Sequence, residues 1–81
     1  MKYIATFFSH FGATRFKKEL NNHNIECKLM PVPRALSSSC GTCALYDNDK
    51  IYFDDNLPDY LEKIYEVIAE EKYELKYEIK D

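Results

Sequence analysis

Residues 2–8 are rich in aromatic and β-branched side chains and alternate weakly, which predicts a strand. Ser9-His10-Phe11-Gly12 breaks it. From about Ala13 the apolar positions fall at Ala13, Phe16 and Leu20, with Lys17, Lys18 and Glu19 between them, which is helical spacing. Ser9 is a candidate cap for this helix, and Asn21-Asn22-His23-Asn24 should end it. Ile25, Cys27 and Leu29 then alternate with Glu26, Lys28 and Met30 as a second strand. It should fray at Pro31 and Pro33, because proline cannot donate to a central ladder. Arg34 to Thr42 has neither period and carries three consecutive serines, so it reads as a loop. Ala44-Leu45-Tyr46 and Ile51-Tyr52-Phe53 are short strand candidates around Asp47-Asn48-Asp49, a turn.

In the C-terminal half, Asn56-Leu57-Pro58-Asp59 resembles a helix start: a capping Asn, Pro in the first turn, and an acid where the helix dipole favours one. Leu57, Leu61, Ile64, Tyr65 and Ile68 would form one face of that helix. Tyr73, Leu75, Tyr77 and Ile79 alternate with Glu74, Lys76, Glu78 and Lys80, a strand with one buried and one wet face. The order β-α-β-β-α-β predicts an α+β, ferredoxin-like two-layer sandwich: an antiparallel sheet with two helices on one face. With right-handed crossovers, strands one and two run the same way. The loop after each then lies at the same rim. Ser9–Gly12, the N-terminus of the first helix and Ser37–Cys43 should therefore meet.

Length and composition narrow the function classes. Eighty-one residues predict one domain over 1–81, and 46% hydrophobic residues with seven Tyr and five Phe give it an efficient core. The formal charge is −3 with interspersed signs, and no basic stripe exists to neutralise phosphates, so nucleic acid is not an expected partner. The wholly apolar stretches are far too short for a membrane span. The run Tyr3–Phe8 is too short for a secretory h-region and lacks a small-residue cleavage site, so a cytoplasmic location is expected.

Three cysteines cannot close into a disulfide framework within one chain. In a reducing compartment, closely spaced cysteines point to redox or metal chemistry, which singles out Cys40 and Cys43. Cys27, on the apolar side of strand two, reads as a small core residue. A thiol is useful when it ionises, and a helix N-terminus or a cation promotes that. The expected rim offers the first helix and Arg34 for this. Gly41 permits a tight turn beside the sulfur, and Ser37, Ser38 and Ser39 supply hydroxyl and N–H donors for an anionic sulfur. His10 would orient or deprotonate Cys40. Two other chemistries stay open. Cys40-Gly41-Thr42-Cys43 has the spacing of dithiol redox motifs, and the pair with His10 would give three of the four ligands of a zinc site.

The string Pro31-Val32-Pro33-Arg34-Ala35-Leu36-Ser37-Ser38-Ser39-Cys40-Gly41, after a β-α-β start, resembles the small proteins described as putative selenium/sulfur carrier protein-like. The likeness runs from Tyr3 to Tyr46; Cys43 is a departure from it. The resemblance implies a carrier rather than an enzyme with turnover of its own, holding sulfur or selenium on Cys40 as a persulfide-type adduct. It implies no cofactor. Its partners would be a donor such as a cysteine desulfurase and an acceptor enzyme, and the Tyr-rich composition leaves a monomer or a weak homodimer open.

Overall fold

The computed structural model describes residues 1–49 and 58–79. Five strands and one helix follow in the order β1 (Lys2–Phe7), α1 (His10–Asn22), β2 (Cys27–Pro31), β3 (Thr42–Asp47), β4 (Leu61–Ala69) and β5 (Lys72–Glu78). They build one antiparallel sheet in the order β2-β3-β1-β4-β5. Because β1 and β2 both run antiparallel to β3 between them, they are parallel to each other, with α1 as the crossover. That is the split β-α-β unit expected of the N-terminal half.

Helix α1 begins at His10, earlier than its apolar period suggests, because Ser9 is extended (φ −145°, ψ 160°) and its hydroxyl accepts the Gly12 N–H at 3.3 Å. At the other end, Ile25 N–H returns to Leu20 O at 2.9 Å and Asn24 N–H to Asn21 O at 3.1 Å. Asn24 takes the left-handed conformation (φ 61°) that this stop requires. The helix lays Ala13, Phe16 and Leu20 on Tyr3, Ala5 and Phe7 of β1 and Ala44 and Tyr46 of β3. Phe7 and Phe16 meet at 5.2 Å between ring centroids. Full burial of Phe16 and Leu20 contributes about 1.5–3 kcal/mol each. The alternation of β1 and β3 sends Ile4, Thr6 and Cys43 to the opposite face, where they too are buried.

The expected second helix is a strand, and this corrects the ferredoxin-like two-helix arrangement: among the described residues a five-stranded sheet carries one helix. Residues 61–69 form β4, between β1 and β5. The helical spacing of Leu61 and Ile64 has a local cause. Leu61 pairs with Phe7 and Lys63 with Thr6, so Glu62 opposes no residue of β1 and forms a bulge. The bulge resets the alternation, and Leu61 and Ile64 both reach the core at a spacing that mimics one helical turn. Tyr65 pairs with Ile4 on the other face and Ile68 is exposed, as no common helical face would allow. Pro58-Asp59 opens a turn, closed by Leu61 N–H to Pro58 O at 3.1 Å, in place of a helix. A bulge at Lys76 likewise interrupts β5, so Tyr77 packs on the core while Leu75 is exposed. The strand candidate Ile51–Phe53 and the helix-start residues Asn56 and Leu57 lie outside the described residues. No described helix is long and apolar enough to cross a membrane.

Candidate functional site

The parallel course of β1 and β2 brings their following segments to one rim. Ser38 Oγ–H donates to the carbonyl of Phe7, the last residue of β1, at 3.1 Å. His10 Nδ1, in the first turn of α1, lies 3.1 Å from Thr42 Oγ1 at the start of β3. Val32 N–H donates to Gly41 O at 3.1 Å and Leu36 N–H to Pro33 O at 3.0 Å, which folds the long connection back on itself. Gly41 turns the chain into β3 with φ +74°, a conformation that disfavours any side chain even though the space beside it is open.

Cys40 sits in this turn, half-buried, against the helix-side core. Its thiol donates to Thr42 O at 3.4 Å, and its sulfur lies 3.9 Å from Ser38 Oγ. Cys43 is fully buried on the opposite face, its Sγ–H directed at Pro31 O at 3.8 Å. Burial, helped by the neighbouring Cys40 and Cys27 thiols, pushes Cys43 up to about 11. Burial likewise raises Cys27 to about 11, against a small opposing pull from Lys17. All three cysteines are free thiols.

The sequence-predicted residues separate into groups. Ser38, Cys40 and Gly41 form the turn, and His10 joins it through Thr42 rather than by touching the sulfur. Ser39 turns outward: its hydroxyl donates to Glu62 Oε2 at 2.8 Å and its N–H to Oε1 at 3.4 Å. Ser37 is exposed. Arg34 is exposed and lines a hollow with Pro33, Ala35, Glu71 and Tyr73 at the tip of the β4–β5 hairpin. The carboxylate of Glu62 thus borders the rim that carries Cys40. Glu62 escaped the sequence reading, because a helical period there made it one more solvated acid, and nothing in the sequence announces a bulge. Among the described residues no group of three or more His, Cys, Asp or Glu side chains is arranged to hold a metal ion, so His10, Cys40 and Cys43 do not form a common ligand set.

Residues 2–53 match the family model described as putative Se/S carrier protein-like. No curated protein and no solved structure matches the chain. The matched segment contains β1, α1, β2 and β3 together with the connection that bears Cys40. By a match that spans well over half of its 81 residues, the chain belongs to the putative Se/S carrier protein-like family.

Proposed function

We propose that Cys40 carries sulfur or selenium as a persulfide-type adduct and passes it from a donor protein to an acceptor enzyme. One observation carries this reading: of the three thiols in a chain of this family, Cys40 alone is not buried. In loading, the Cys40 thiolate attacks the outer sulfur of a donor persulfide. A new S–S bond forms on Cys40 as the donor's S–S bond breaks, and the donor leaves as a thiolate that takes up the proton Cys40 gave up. In unloading, an acceptor nucleophile attacks the same outer sulfur and Cys40 departs as the thiolate. The sulfane sulfur moves without any external oxidant or reductant.

The chain's own groups suit this exchange. Ser38 Oγ lies within reach of the Cys40 sulfur, and the Thr42 carbonyl holds the resting S–H. Burial of Cys43 on the other face favours a persulfide at Cys40 over prompt closure to a disulfide, and so favours the carrier over a dithiol redox module.

Incubation with sodium polysulfide, followed by intact and peptide mass spectrometry, tests the reading. A mass gain of sulfur on the Cys40 peptide is expected in the wild type and in Cys43→Ala, and its loss in Cys40→Ser. An accessible Cys40 that takes up no sulfur would overturn it.

A further inference from the structure

The carrier segment ends before β4, yet the closest anchor of its cysteine loop comes from β4. Glu62 accepts both the hydroxyl and the N–H of Ser39, the residue before Cys40, at 2.8 and 3.4 Å. Its backbone is fixed by the Ile79 N–H, which donates to Glu62 O at 3.0 Å. The residue is the bulge of β4, where a local break in the ladder re-aims a side chain that regular pairing would commit to one face of the sheet.

We propose that Glu62 is a positioning residue for Cys40: by holding both donors of Ser39 it decides whether they serve the loop or the sulfur. This assignment rests on the carrier reading for its purpose, but not for its geometry. An anionic sulfur needs hydrogen-bond donors, and bonds to a charged acceptor are the strong ones. The Ser38 hydroxyl is given to Phe7 O, and the Ser39 hydroxyl and amide are given to Glu62. The Cys40 thiol itself donates to Thr42 O. In this arrangement both Ser39 donors are committed to Glu62 and the Cys40 S–H to Thr42 O. When the Glu62 carboxylate is withdrawn, the Ser39 donors are freed for the sulfur of the next residue, and the nucleophile or its persulfide gains donors beyond the neighbouring Ser38 hydroxyl. Glu62 acts through Ser39, without touching the sulfur.

The test is the pH profile of the second-order rate of iodoacetamide alkylation at Cys40, read by peptide mass spectrometry, for the wild type, Glu62→Gln, Ser39→Ala and the double variant. Below the midpoint of that profile Glu62→Gln should react about tenfold faster, the effect of one hydrogen bond gained by a charged sulfur, and on the alkaline plateau no faster, where a merely loosened loop would still raise the rate. In the Ser39→Ala background the same change should accelerate the reaction less than about threefold, because coupled residues are not additive. Glu62→Ala, which removes the acceptor altogether, serves as the second variant and should accelerate at least as much as Glu62→Gln. An unchanged or slower rate in both Glu62 variants, or an acceleration undiminished without the Ser39 hydroxyl, overturns the proposal. Iodoacetamide needs no sulfur adduct. A chain that shows this coupling but takes no sulfur from polysulfide defeats the carrier reading alone, and one that loads sulfur without the coupling defeats only the role of Glu62.

Discussion

Cys40 and Cys43, separated by Gly41 and Thr42, deliver their sulfurs to opposite sides of the sheet. Cys40 packs half-buried on the helix-side core, and Cys43 is fully buried on the other face. Gly41, at φ +74°, ends the turn that holds Cys40, and the alternation of β3 then directs Cys43 away from Ala44 and Tyr46. Native alkylation should therefore label Cys40 first. Cys27 and Cys43 should react at least about 100-fold more slowly, since they wait for an opening that costs several kcal/mol. Peptide mapping after timed labelling checks the order. Labelling of Cys43 at a rate matching Cys40 would contradict the burial described.

The two buried thiols also make stability depend on pH. Cys27 and Cys43 are each raised from 9.0 to about 11 by burial, so between those values the unfolded chain gives up protons that the folded chain keeps. The contribution is fully present below pH 9 and is lost as pH rises through 11, about 2–3 kcal/mol for each thiol. Urea melts at a series of pH values should show this decline. Cys27→Ala and Cys43→Ala should each flatten it, whatever their effect at neutral pH. A slope that neither substitution changes would show that other groups carry it.

Gly12 and Gly41 flank the same rim for different reasons. A Cβ on Gly12 would stand 2.9 Å from Tyr60 Cβ, so Gly12→Ala overpacks the seam between α1 and the segment leading into β4 and should cost about 1–3 kcal/mol. A Cβ on Gly41 would meet nothing within 4 Å, and only its left-handed backbone resists substitution. Gly41→Ala should cost about 1 kcal/mol, chiefly by straining the turn that carries Cys40. Denaturant midpoints give both values. The alkylation rate of Cys40 should respond to the second substitution more than to the first.

The N-terminal half was legible because each signal there is local. Ser9 caps, Asn21–Asn24 stop the helix, and Pro31 closes a strand through groups a few residues apart. The meeting of the two loops at one rim was legible for the same reason, since it needs only the parallel course of β1 and β2. What failed was non-local. Leu61 and Ile64 share a face because β4 bulges against β1, and that bulge depends on a partner more than fifty positions earlier in the chain. The density of Ile64, Tyr65, Val67 and Ile68 favours a strand, and it outweighs an apolar spacing of three and four. The same misreading hid Glu62, whose link to Ser39 exists only once β4 lies beside the cysteine loop.

Ile64 and Ile68 separate the two readings of this segment. On a helix they would lie one turn apart on the same buried face, and truncating either would open a cavity. On β4, Ile64 is fully buried between Ala5 and Tyr77, whereas Ile68 falls at an irregularity in the pairing with β5 and is 52% exposed. Ile64→Ala removes hydrocarbon from the center of the sheet, where neighbours on β1 and β5 cannot close the gap, and should cost about 2–5 kcal/mol. Ile68→Ala removes side-chain atoms that are already half in water and should cost less than about 1 kcal/mol. Urea denaturation of the two variants reads the difference directly. Near-equal losses of several kcal/mol would fit a helical face and would remove β4, and with it the strand that brings Glu62 to Ser39.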